Sequence, residues 1–148
     1  YDVSLQSDSG RILTEISLIR HGKSKLTEND KIIGLKFKRW VEKYDESGVF
    51  AESSYPSNTL EKVTSTNIVI TSHLKRSVES ANVLNAAAEV ISDSLFRETE
   101  LPSIPSLFDT VMLKPSSWAT ILRIGWFCGY SNKCESLKEA KCRAFYFR

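Results

Sequence analysis

Arg20 and His21 stand together after an apolar run, Ile16, Leu18 and Ile19 with one serine between, and are followed by Gly22 and Ser24. An arginine and a histidine delivered together at a strand end suit chemistry on an anion. Arginine offers a planar fork of donors that matches a phosphoryl or carboxylate group. A neutral imidazole held through one nitrogen by a backbone carbonyl keeps a lone pair on the other. That nitrogen can attack a phosphate ester, giving a phosphohistidine that water later cleaves. Gly22 lets the backbone come close enough for the hold. A second set follows residues 67–71: Ser72, His73, Lys75 and Arg76, with Arg76 near the start of a predicted helix. Two arginines converging from neighbouring strand ends, with helix N-terminal N–H groups beside them, make a pocket for a dianion. The leaving alkoxide needs a proton, and Glu98 and Glu100 are the carboxyls that follow the third predicted strand. Either one fits the role. Gly22 and Ser24 join Arg20 and Arg76 as the expected phosphate-binding set. No cluster in the sequence has metal-ligand spacing, so neither a metal nor another cofactor is expected.

Each of these residues also has an ordinary role when taken singly: a capped strand-end histidine, a solvated helix arginine, a pair of surface glutamates. Their order along the chain is what points to a site, and that order depends on the elements that carry them. Residues 12–19 read as a first strand whose nearly continuous apolar end suits a sheet covered on both faces. A polar loop, residues 23–30, leads to Ile33, Phe37, Trp40, Val41 and Tyr44, the spacing of an amphipathic helix that Gly48 would end. A short helix is expected after Pro56, with Asn58 and Glu61 at capping-box spacing. Residues 67–71 are a second strand, residues 75–90 a helix with Val78, Ala81, Leu84 and Ala88 on one face, and residues 89–92 a third strand. Pro102, Pro105 and Pro115 punctuate an irregular stretch. Trp118, Ile121, Leu122, Gly125 and Trp126 mark a further amphipathic helix, and residues 135–144 begin a last one. Strands alternating with helices predict an α/β fold, a mostly parallel sheet sandwiched by helices. Ligands in such folds collect outside the carboxyl ends of the strands, where both sets of candidate residues fall.

Composition narrows the partners. The 148 residues suffice for one domain with its own core, and 41% hydrophobic with 26% charged residues are the proportions of a globular chain. Twenty basic against eighteen acidic residues give no field that favours nucleic acid or a membrane surface. No apolar run approaches the ~20 residues of a spanning helix, so no membrane partner is expected. Three cysteines, Cys128, Cys134 and Cys142, fit neither a disulfide framework nor a zinc quartet, which suggests a reduced, cytoplasmic chain.

The order of motifs resembles the histidine phosphatase superfamily, the phosphoglycerate mutase-like group. That family opens with an apolar strand ending in Arg-His-Gly, matched by Leu18, Ile19, Arg20, His21 and Gly22. Its second motif, Ser-x-Leu-x-Arg running into a helix, is matched by Ser72, Leu74 and Arg76, with Ser77 and Ala81 beyond. A looser third motif is met by Phe96, Arg97, Glu98 and Glu100. The resemblance implies that His21 is the phosphorylated nucleophile, that Arg20 and Arg76 grip the phosphoryl oxygens, and that Glu98 or Glu100 is the general acid. It implies a phosphorylated small molecule or phosphoprotein as substrate. Two departures stand out. Thr27 occupies the place where many members carry asparagine. The second active-site histidine, carried by the family on a late strand, has no counterpart, since His21 and His73 are the only histidines. The expectation is therefore a single histidine phosphatase-like domain over residues 1–148, incomplete at its C-terminus, with its last strand missing and activity weak. An exposed sheet edge in such a chain favours a homodimer. Alternative expectations are a non-catalytic phosphate-binding domain, an inactive fragment, and mutase-type phosphoryl transfer.

Overall fold

The computed structural model describes residues 16–52, 54–84 and 88–145. The fold is mixed α/β, built from five helices and two small two-stranded sheets among those residues. Strand β1 (Ile32–Ile33) leads directly into helix α1 (Gly34–Glu46), and α2 (Ser57–Thr64) follows after a loop. Then come β2 (Ile68–Thr71), α3 (Lys75–Leu84) and β3 (Glu89–Ser92), a β-α-β unit whose strands pair in parallel with Ile68 opposite Glu89 and Thr71 opposite Ser92. Strand β4 (Met112–Leu113) pairs antiparallel with β1, and α4 (Pro115–Phe127) and α5 (Leu137–Phe145) complete the order.

The centre of the core is Phe37 of α1 against Trp118 and Leu122 of α4, ringed by Ile32, Trp40, Val41, Leu101, Ile104 and Leu113. Phe37 and Trp40 stack at 6.0 Å between ring centroids, and Trp40 and Tyr44 at 5.4 Å. The i, i+3, i+7 spacing of these residues makes a ladder of rings that climbs one face of α1, from the core at Trp118 to the surface at Tyr44. Fully burying each large side chain in such a cluster is worth about 1.5–3 kcal/mol, so this face, rather than propensity, fixes α1.

No side chain caps the start of α1; its first N–H groups, Gly34 and Leu35, donate to the carbonyls of Val111 and Asp109 at 3.1 Å each, and at its end the Ser47 hydroxyl donates to Lys43 O at 2.6 Å. Helix α4 opens with Pro115 in its first turn and closes on Gly129 at φ +98°. There Gly129 N–H donates to Trp126 O at 3.0 Å and Tyr130 N–H to Gly125 O at 2.8 Å, the paired bonds of a Schellman close.

The structure corrects several expectations. A parallel pair is present, but a wider parallel sheet sandwiched by helices is not found among the described residues. Residues 12–15 of the expected first strand lie outside the described residues. Residues 16–19 form no strand, and Ile16, Leu18 and Ile19 are exposed. An apolar run becomes a buried strand only when a ladder and two covering layers exist for it, and among the described residues β2 is paired with β3 alone. Helix α3 is described over Lys75–Leu84 and residues 85–87 lie outside the described residues; the expected run to Val90 is not met, because Val90 and Ile91 are drawn into the ladder opposite Val69 and Ile70. The capping box expected at Asn58 and Glu61 is absent: Pro56 takes the cap position, and its ring holds φ at −54° with no side-chain bond. The same spacing does cap α5, where Ser136 N–H donates to Glu139 Oε2 at 2.7 Å and holds that carboxyl below its ordinary range.

Candidate functional site

Residues 20–24 run between the loop at Val49 and helix α3. Ser24 forms a β-bridge with Val49, and Phe50 N–H donates to Lys23 O at 2.9 Å. Gly22 N–H donates to Ser80 Oγ at 2.9 Å, and that hydroxyl donates in turn to Arg76 O at 2.7 Å. Glu79 fixes the other side. Its carboxylate accepts from Val49 N–H at 2.9 Å and lies 3.7 Å from Lys25 and 3.8 Å from Lys75. The Val49 bond first, and then the two lysines, hold the Glu79 carboxyl below its ordinary range against the opposing effect of desolvation. Ser80 and Glu79 thus carry the segment that presents His21. Because Ser80 is buried, Ser80→Ala would leave Gly22 N–H without a partner. We expect a loss of about 1–3 kcal/mol in chemical denaturation, together with loss of protection of the Gly22 amide against hydrogen exchange.

His21 is half-buried, with Nδ1 2.8 Å from the carbonyl of Gly22. A carbonyl only accepts, so Nδ1 carries a proton, and in the neutral ring the lone pair is then on Nε2. Nε2 has no hydrogen-bond partner among the described residues. The ring meets Tyr44 edge-on, 6.4 Å between centroids, and the guanidinium of Arg76 sits over the Tyr44 ring, 4.6 Å from its centroid. Arg76 is buried, and its Nη1 donates to Asp45 Oδ1 at 2.7 Å. His21 and Arg76, separated by four elements in the chain, are therefore gathered around Tyr44 at the end of α1. At the carboxyl end of β2, Thr71 Oγ1 is buried without a hydrogen-bond partner.

The other expected residues are distributed differently. Arg20 is exposed and lines a cavity that Gly22 also lines. Ser24 Oγ accepts from Leu26 N–H at 3.2 Å and so closes its own turn. A Cβ on Gly22 would meet Val49 and Ser80 at 3.6–3.8 Å, ordinary contact. Glu98 and Glu100 are exposed and linked to neither His21 nor Arg76 by any hydrogen bond or ion pair among the described residues. Arg123 holds Thr99 O at 3.0 Å, and Arg143 holds Leu95 O at 2.6 Å and Arg97 O at 3.2 Å. These two clamps turn the glutamate segment toward α4 and α5. Glu100 pairs with Arg97 at 2.7 Å, and after burial its charge is the next cause that pushes the Cys134 thiol up. Tyr44 and Asp45 are the members that sequence reasoning missed. Tyr44 reads there only as the last apolar step of a helix pattern, and Asp45 carries no signal of its own.

No family model, curated protein or solved structure gives a significant match to this chain. Among the described residues, no group of three or more His, Cys, Asp or Glu side chains could hold a metal ion, and no helix is long and apolar enough to cross a membrane.

Proposed function

We propose that this chain hydrolyses phosphomonoesters without a metal, through a phosphohistidine at His21. The observation that carries the reading is the 2.8 Å contact of His21 Nδ1 with Gly22 O, which in the neutral imidazole puts the proton on Nδ1 and the lone pair on Nε2, a nitrogen without a partner among the described residues. Nε2 attacks phosphorus, the N–P bond forms as the ester P–O bond breaks, and the departing alkoxide takes a proton. Water then attacks the phosphohistidine, releasing phosphate and restoring the imidazole. Arg20 and Arg76 are the cations of the phosphoryl site. Proton delivery falls to Glu98 or Glu100, which must approach from the α4 side, or to Asp45, which already pairs with Arg76. The three cysteines are free thiols, two of them exposed, which supports a reducing compartment such as the cytoplasm.

One observation favours a second reading, a phosphate-binding domain without turnover. The charge of Arg76 is already matched by Asp45, and the glutamates are clamped elsewhere. The test between the two is direct. Incubated with p-nitrophenyl phosphate and quenched in base, the chain should carry acid-labile phosphate on a single histidine. His21→Ala should carry none and lose turnover by about 10³-fold or more. Hydrolysis by His21→Ala at the parent rate would refute the proposed mechanism, and phosphate binding without label in the parent would establish the second reading.

A further inference from the structure

A cavity of about 370 Å³ opens between the 18–22 segment, the loop at Val49 and Phe50, and helices α2 and α3. Its volume falls in the range of small-ligand sites, about 300–1,000 Å³. Leu18 and Ile19, the end of the apolar run that makes no strand, line it and are 64% and 46% exposed. Phe50 and Val83 line it as well, each 43% exposed. Four large apolar side chains half open to water around one concavity are surface that an apolar body would bury. The charged residues of the lining are Arg20 and Lys62, with no aspartate or glutamate among the described residues that form it. Lys62 is already engaged within the chain and is not an open cation. The Arg20 guanidinium is exposed and has no hydrogen bond or ion pair with any described residue. The first turn of α2, which no side chain caps, forms part of the wall and adds its partial positive charge. The cavity thus offers one open positive side chain beside an apolar wall.

We infer that this cavity binds an apolar monocarboxylic acid, its carboxylate on the Arg20 guanidinium and its ring or hydrocarbon body against Leu18, Phe50 and Val83. A guanidinium fork pairs with the two coplanar oxygens of a carboxylate, and one open cation balances one negative charge. A dianion would keep a second charge unmatched beside the apolar wall. A short polar acid would leave that wall wet and gain nothing from it. Arg20 serves one anion at a time, so a bound acid excludes a phosphoryl group from it; binding of the acid does not itself rest on hydrolysis at His21.

Calorimetry on the intact chain tests this with 2-naphthoate against acetate, 2-naphthylmethanol and 2-naphthylphosphonate, at mildly alkaline pH where the phosphonate is a dianion. Naphthoate should bind at least about tenfold tighter than acetate, which lacks the body, and than the alcohol, which lacks the charge. Arg20→Gln should bring naphthoate down to the affinity of the alcohol and leave the alcohol unchanged. Val83→Trp, which fills the wall, should weaken naphthoate and the alcohol alike, by about tenfold; Thr59→Phe is the second such variant should the first fail to fold. Acetate or the alcohol binding as tightly as naphthoate would overturn the inference, as would a naphthoate affinity that survives Arg20→Gln or a folded wall variant. A phosphonate that binds tighter than naphthoate would overturn the assignment of a monoanion.

Discussion

Asp45→Ala should destabilise the protein by about 3–5 kcal/mol, more than Arg76→Met, although Asp45 is the more exposed partner. The side chain of Arg76 is 5% exposed and that of Asp45 41%. Removing the aspartate strands a guanidinium that cannot reach water, whereas removing the arginine leaves a carboxylate that can rehydrate. Methionine at position 76 also keeps most of the buried stem and the contact with Tyr44, so only the charge-assisted bond and the cation–π attraction are lost. Urea denaturation of the two single variants and of the double variant checks the argument. Asp45→Ala combined with Arg76→Met should be more stable than Asp45→Ala alone, because the double variant buries no unpaired charge. An Asp45→Ala protein as stable as the parent would show that Arg76 is not desolvated. The same pair bears on chemistry: a phosphoryl group that takes Arg76 must compete with Asp45, so a folded Asp45→Asn variant would present a freer cation.

Alanine at Gly34 and alanine at Gly125 should change stability in opposite directions. Both glycines lie within helices, where alanine is intrinsically better by about 0.5–1 kcal/mol. A Cβ on Gly125 would meet only Tyr130 at 3.7–3.8 Å, so Gly125→Ala should collect that gain. A Cβ on Gly34 would fall 2.5 Å from the carbonyl oxygen of Phe108. That oxygen belongs to the turn whose neighbours, Asp109 and Val111, accept the first N–H groups of α1, so it cannot retreat without breaking the helix start. Forced overpacking costs typically 1–3 kcal/mol, and here it also strips hydrogen bonds. Gly34→Ala should therefore lose about 2–3 kcal/mol net, visible as a lower Tm, while Gly125→Ala raises it. Equal effects of one sign would show that the 108–111 turn is free to move.

How much of this was legible beforehand follows from what kind of signal each feature sends. Phe37, Trp40, Val41 and Tyr44 repeat along α1, and the β-branched residues of β2 and β3 cluster, so these elements could be read locally. The run at residues 16–19 has the same composition as a buried strand, but burial depends on a partner that local sequence cannot name. Asp45 and Arg76 meet across 31 positions, and a lone pair of opposite charges has no period to betray it. Glu98 and Glu100 are recognisable as acids, yet their direction is set by Arg123 and Arg143, both far along the chain. The two capping-box spacings show the limit most plainly. Glu139 fulfils the pattern, whereas at Glu61 a proline one residue before the helix had already settled the entry angle.

The ladder of rings on α1 ends at Tyr44, and there the helical core meets the β2–α3–β3 unit. Across that meeting run Asp45 to Arg76, Val49 to Glu79 and Gly22 to Ser80, all polar contacts. Three polar stitches thus join the two halves, beside the buried side chains of Val49 and Ala81. Such a joint parts in a sub-global opening that costs less than unfolding the whole molecule. The candidate site spans it, with Tyr44 and Asp45 on one bank and Arg76 and Ser80 on the other. An anion seated there works as a clasp, and holding the banks together is part of what its binding energy does.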